Sequence, residues 1–160
     1  MTDRPYRVLM VCTGNICRSP TAEGVFRKMV SDAGLDGKIE VDGAGTTNWH
    51  TGDSPSRLAV EQAEKRGYNL SVLKARQITD RDYTEFDLIL AMDEGHMNHL
   101  RRDCPPGARS ELAMFLDASP DAGRKDVPDP YYGGAEDYRY ALDLIETGCR
   151  AWLDIIRDRV

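Results

Sequence analysis

The chain holds no apolar run long enough to cross a bilayer; near its amino terminus the longest is Val8 to Cys12, too short even for the core of a secretion signal. Membrane insertion and export are therefore not expected, and a cytoplasmic location is. Cysteine is scarce: Cys12, Cys17, Cys104 and Cys149 are too scattered for a disulfide framework, and no spacing among them matches a zinc ribbon. A reducing compartment suits such a chain. Basic residues are outnumbered, 21 against 27 acidic ones, for a net charge of −6. A protein that tracks a nucleic-acid backbone normally carries a basic stripe, so no nucleic-acid partner is expected. His96 and His99 have a helical spacing that could seat a metal, but no third ligand is evident; they read as a surface pair, and neither a metal nor a cofactor is expected. Internal repeats, low-complexity segments and interdomain linkers are lacking too. A chain of 160 residues with 41% apolar content can bury one proper core, so a single domain over residues 1–160 is expected, as a monomer.

What the chain does have is concentrated near its start. Tyr6 to Val11 is rich in large apolar and β-branched residues, fit for a buried central strand that delivers Cys12 at its carboxyl end. Ser19-Pro20 reads as a helix cap followed by proline at the first helical position. Between them lies Cys12-Thr13-Gly14-Asn15-Ile16-Cys17-Arg18, uninterrupted by acidic residues. Unpaired amides and the positive end of a helix dipole favour a bound anion, and a cysteine thiolate beside it. Arg18 adds a planar fork of donors matched to two oxygens of a phosphate. A nucleophile, an anion cradle of Thr13, Gly14, Asn15, Ile16 and Cys17, and a clamp in one segment describe attack of sulfur on phosphorus.

Farther along, apolar residues recur at helical spacing from Ala22 to Val30, with a stop at Gly34. Lys38 to Asp42 alternates as a short strand, and 43–50 reads as an irregular loop. Ser54-Pro55 repeats the cap and proline start of a second helix ending at Gly67. Phe86 to Met92 is a buried strand, after which Asp93 caps a helix to about Arg102; Leu112 to Leu116 is a fourth strand. Tyr138, Ala141, Leu142, Ile145, Cys149, Trp152, Leu153 and Ile156 trace one apolar stripe on a long terminal helix. Strands alternating with helices predict an α/β fold: a doubly wound parallel four-stranded sheet in flavodoxin-like order, covered by helices on both faces. Ligands in such sheets bind beyond the strand carboxyl ends at the switch point, where Cys12 falls.

The segment from Val11 to Pro20 with Thr21-Ala22-Glu23-Gly24-Val25-Phe26 after it, and the later Asp129-Pro130-Tyr131-Tyr132-Gly133-Gly134, resemble the low-molecular-weight protein tyrosine phosphatases along the whole chain. The resemblance implies a cofactor-free hydrolase acting on tyrosine-phosphorylated proteins and aryl phosphates through a phosphocysteine intermediate. It implies that Cys12 attacks, Arg18 and the loop amides hold the phosphoryl oxygens, and Asp129 protonates the leaving group. Trp49, Tyr131 and Tyr132 would wall the entrance, with Ser19 and Asp93 in support. A reversible Cys12–Cys17 disulfide under peroxide is also implied. Gly43 stands where the family commonly has serine, and Leu73 where it often has histidine.

Two other classes stay open on sequence. An arsenate reductase of the same fold passes a disulfide through further cysteines near residues 80 to 95, a stretch that holds none here. A phosphotyrosine-binding module without turnover would have no need of Cys12, Arg18 and Asp129 together.

Overall fold

The structure, a computed structural model, describes residues 4–160. Strand β1 (Tyr6–Cys12) sends alternate side chains to opposite faces, as a pleated strand must. Val8, Met10 and Cys12 enter one apolar core, while Leu9 and Val11 enter a second. A strand buried on both faces belongs in the middle of a sheet. Accordingly β2 (Ile39–Gly45) pairs with β1 on one side and β3 (Leu88–Ala91) on the other, with β4 (Glu111–Met114) beyond β3. Every pair is parallel and the order is β2-β1-β3-β4, as the alternation of elements predicts.

Helices α1 (Arg18–Asp32), α2 (Arg57–Glu64) and α5 (Ala135–Arg157) cover the first core; α3 (Asp82–Glu85) and α4 (Glu94–Asp103) lie against the second. The connection leaving β1 returns through α1 to one edge, and the one leaving β3 returns through α4 to the other. Their first turns part at the carboxyl ends of β1 and β3, and the crevice between them is the switch point of this sheet.

Several boundaries differ from the sequence reading. Helix α1 begins at Arg18, so Ser19-Pro20 lie inside its first turn instead of opening it. Proline costs little there because first-turn amides have no intrahelical acceptor, and the serine hydroxyl is spent on the loop. Helix α2 begins at Arg57, past Ser54-Pro55, because the Ser56 amide donates to the Ile16 carbonyl at 2.8 Å and holds that segment extended. Strand β2 runs beyond Asp42 to Gly45; its last residues are glycine and alanine, which carry no alternation to read. Strand β4 stops at Met114, and Phe115–Ala118 turns into a 3-10 helix.

The α5 stripe is buried as its spacing predicts, and Trp152 Nε1 donates to the Phe115 carbonyl at 2.6 Å. Gly148 lies on the same stripe, where an added Cβ would overlap the Phe115 ring. Gly148→Ala should therefore lower stability by about 1–3 kcal/mol through overpacking, more than the gain of up to about 1 kcal/mol from better helix propensity. Thermal unfolding of the two proteins checks the sign.

Candidate active site

Beyond Cys12 the chain curls into a loop whose carbonyls are tied from outside. Thr46 and Thr47 amides donate to the Cys12 and Thr13 carbonyls at 2.9 and 3.0 Å, and the Ser56 amide takes the Ile16 carbonyl. The amides of Thr13, Gly14, Asn15, Ile16 and Cys17, in contrast, donate to no acceptor among the described residues. Asn15 adopts a left-handed backbone (φ 57°), a conformation asparagine tolerates better than most residues. Gly45 is required by packing: a Cβ there would sit 2.7 Å from the Thr13 oxygen. Of the segment 43–50 expected to be irregular, Gly43, Ala44 and Gly45 are instead the end of β2, with small residues on which the loop can lie, while 46–50 is irregular as expected.

Cys12 Sγ is 3.0 Å from Ser19 Oγ, and that hydroxyl donates to Asn15 Oδ1 at 2.7 Å. Ser19 thereby holds the asparagine side chain without any hydroxyl at residue 43, where Gly43 leaves room for Asn15 and the buried Glu23. Arg18 is 3% exposed. Its Nη1 spends both hydrogens, on Asp93 Oδ2 at 2.8 Å and the Val127 carbonyl at 2.9 Å. Nε is buried with no partner. A buried cationic donor without an acceptor is costly, so the Nε and Nη2 edge of the fork calls for an anion.

Arg18 lines a cleft of about 260 Å³, floored with it by Cys12, Thr13, Gly14, Ile16 and Cys17. Trp49, His50, Asp129, Tyr131 and Tyr132 form its walls. Trp49 and Tyr132 are strongly exposed, and Tyr131 meets Tyr132 edge to face at 4.7 Å between ring centres. His50 stands beside Tyr131 and pairs with Asp53 at 3.1 Å. Asp129 Oδ2 lies 3.6 Å from Arg18 Nη2, while Oδ1 accepts the Tyr131 amide at 3.0 Å. Its segment is anchored just upstream, where the Val127 amide donates to the Met92 carbonyl and Asp126 accepts the Glu94 amide.

Asp93 caps α4, accepting the His96 amide at 2.9 Å, and also pairs with Arg18. Burial works against its charge, but the His96 ring and amide together with Arg18 outweigh that and hold its carboxyl below the ordinary range. His96 corrects the surface-pair reading: it is buried, with Nε2 2.8 Å from Thr13 Oγ1 and 3.4 Å from Arg18 Nη2. The sequence signal for it was Asp93-x-x-His96 directly after a strand at the switch point, a capping box with histidine in the third position. Burial raises the Cys17 pKa, and its sulfur contacts Tyr138 and Ser56 hydroxyls at 3.5 Å. Both cysteines are free thiols. Among the described residues no His, Cys, Asp and Glu cluster could hold a metal ion.

Burial, then Arg18, push the His96 pKa from 6.5 down to about 4. Between those values the unfolded chain binds a proton that the folded protein refuses, so stability falls as pH falls through this window. At 1.36 kcal/mol per pH unit the His96 contribution amounts to about 3 kcal/mol. Burial raises the Glu23 pKa and gives an opposite slope above 4.5, but equally in wild type and variant. Urea unfolding from pH 7 to 4.5 should show a flatter pH dependence for His96→Leu than for wild type.

Comparison with known proteins agrees with this geometry. A family model described as low molecular weight phosphotyrosine protein phosphatase matches residues 7–160. A low molecular weight protein-tyrosine-phosphatase of Streptomyces coelicolor is 41% identical, covering 97% of this chain and 96% of its own. A pig low molecular weight phosphotyrosine protein phosphatase is 38% identical, covering 94% and 95%. The crystal structure of YfkJ from Bacillus subtilis superposes with a TM-score of 0.90 at 38% identity, covering 97% of this chain and 96% of that one. A model match over nearly the whole chain, relatives at 38% and 41% identity over almost their full length and a shared fold have one meaning: the chain belongs to the low molecular weight phosphotyrosine protein phosphatase family.

Proposed function

We propose that Cys12, Arg18 and Asp129 carry out the phosphomonoester hydrolysis of this family on phosphotyrosine and aryl phosphates. The observation that carries the reading is Arg18: buried, with Nη1 committed to Asp93 and Val127, and Nε left unpaired beside Cys12 and a row of free amides. The amides of Thr13, Gly14, Asn15, Ile16 and Cys17 join Nε and Nη2 around the phosphoryl oxygens. The Cys12 thiolate attacks phosphorus, the bond to the phenolic oxygen breaks, and Asp129 gives that oxygen its proton. Water then attacks the phosphocysteine, Asp129 takes its proton, and the sulfur–phosphorus bond breaks to release phosphate. Ser19 serves the sulfur in both steps, Asp93 fixes Arg18, and Trp49, Tyr131 and Tyr132 receive the flat ring of the substrate.

The partners in this reading are tyrosine-phosphorylated proteins, with residues 1–160 working as one cytoplasmic, monomeric phosphatase domain. Cys12, Cys17, Cys104 and Cys149 are all free thiols, the state a reducing compartment maintains. Peroxide-driven pairing of Cys12 with Cys17 is part of the same proposal.

Hydrolysis of an aryl phosphate, with and without a chelator, tests it. Wild type should turn over in both conditions. Cys12→Ser should lose turnover yet still bind phosphate or vanadate, because the amides and Arg18 survive the exchange. A Cys12→Ser rate within about tenfold of wild type would exclude covalent catalysis by this residue.

Asp129→Asn should cost on the order of 10²–10⁴ in rate for leaving groups that need protonation, and much less in the first step for an activated nitrophenolate. The measurement is kcat/KM against leaving-group pKa for both proteins. If the variant's dependence is no steeper than wild type's, the proton donor is another residue.

A further inference from the structure

His96 has no part in the steps above, yet its ring is buried and each nitrogen meets a different piece of the site. Nδ1 receives the backbone amide of Asp93 at 3.2 Å. Nε2 is 2.8 Å from Thr13 Oγ1 and 3.4 Å from Arg18 Nη2. Nδ1 is also 3.2 Å from Asp93 Oδ1, but that oxygen already accepts the His96 amide at 2.9 Å, whereas a backbone N–H can only donate; Nδ1 taking the amide proton presents its lone pair, which places the single proton of the neutral ring on Nε2. Within reach of that proton is one acceptor, Thr13 Oγ1, because a guanidinium offers none. Thr13 therefore accepts from His96, and its own hydroxyl proton is free for a further acceptor. Thr13 lines the cleft beside Cys12 and Arg18.

We infer that His96 is a positioning residue for phosphate: its neutral Nε2–H fixes the Thr13 side chain so that the Thr13 hydroxyl donates toward the bound phosphoryl group. The same ring edge backs the Arg18 fork, leaving Nη2 for the anion. Protonation would undo the arrangement. An Nδ1–H would oppose the Asp93 amide, and a second positive charge would stand beside Arg18. The Asp93 carboxylate, 3.2 Å from Nδ1, and Asp129 favour the charged ring, whereas burial, Arg18 and His99 oppose it. The neutral form prevails by that balance, and Thr13 keeps its orientation at neutral pH.

The inference rests on the phosphatase reading of the cleft, but its first test needs no turnover. Nitrogen–proton correlation spectra of the histidine rings in the full-length protein, with and without inorganic phosphate, should show His96 neutral from pH 5.5 to 8 with its proton on Nε2. A proton on Nδ1, or a charged ring at pH 7, overturns the proposal. The second test is competitive inhibition by inorganic phosphate. His96→Leu and Thr13→Val should each weaken it about tenfold, the worth of one hydrogen bond to a charged group, and the double variant should lose no more than either alone. His96→Gln, which keeps an N–H near the Nε2 position, should recover most of the loss. A purely structural role would instead lower kcat and thermal stability and leave the inhibition constant within about twofold of wild type, and that result rejects the proposal. Should His96→Leu not fold, the wild-type spectra and Thr13→Val still decide. Failure of wild type to hydrolyse aryl phosphates would sink the phosphatase reading and leave the ring spectra to be judged separately.

Discussion

A guanidinium in the middle of a protein is the constraint around which this molecule is built. Arg18 cannot be neutralised at any working pH, so its burial has to be offset by fixed acceptors. Asp93 at the end of β3 and the Val127 carbonyl on the segment leading to α5 supply them, and both come from chain far from α1. Removing one partner of such a pair typically costs about 3–5 kcal/mol, since a buried charge is left uncompensated. The ion pair therefore does two things at once. It ties β3 and the late loop to the first helix, and by using up Nη1 it leaves an edge on which Nε has no partner and Nη2 meets the Asp129 carboxylate only at 3.6 Å. The fold and the proposed phosphate site draw on the same side chain.

The oxygen of Ser19 shows a related economy. One hydroxyl proton faces two acceptors, Asn15 Oδ1 at 2.7 Å and the Cys12 sulfur at 3.0 Å. While Cys12 is a thiol its own proton can be given to Ser19, and the serine stays on Asn15, holding the left-handed turn. When the sulfur carries negative charge the serine proton is drawn to it, and the asparagine is then kept by backbone geometry and packing against Gly43 and Glu23. The loop survives either state because its carbonyls are held independently by Thr46, Thr47 and Ser56. That redundancy lets the sulfur change charge without the cradle collapsing.

Most of the fold was readable because it rests on period and order: β1 is apolar on both faces, α5 carries an unbroken stripe, and alternating elements leave few parallel arrangements. The residues that meet at the cleft were readable too, since Cys12 to Arg18 is contiguous and Asp129 sits in a turn with a recognisable neighbourhood. Legibility failed where contacts join segments distant in sequence. Ser19-Pro20 and Ser54-Pro55 look like helix starts by local chemistry, but hydrogen bonds from the loop decided where α1 and α2 begin. Gly43 to Gly45 gave no strand signal because the strand there needs small residues to receive the loop. His96 was misjudged for the same reason: three residues from His99 it resembles a surface pair, and only the approach of β1's loop turns it inward.

The charge of the whole molecule sets what this site must do alone. At a net −6 the surface field opposes the approach of a dianion, so capture depends on donors within a few ångströms of the cleft floor. The walls above the floor are aromatic and largely uncharged apart from Asp129 and the His50–Asp53 pair, and the aromatic faces contribute to an arriving phenyl ring regardless of salt. Asp129 sits at that boundary, 3.6 Å from Arg18 and half exposed, on a segment fixed at Val127. An anion bound to Arg18 competes with the Asp129 carboxylate for Nη2. In the proposed mechanism an anion on that edge displaces the carboxylate from Arg18 toward the leaving oxygen, so substrate binding and the placement of Asp129 are coupled through one guanidinium edge.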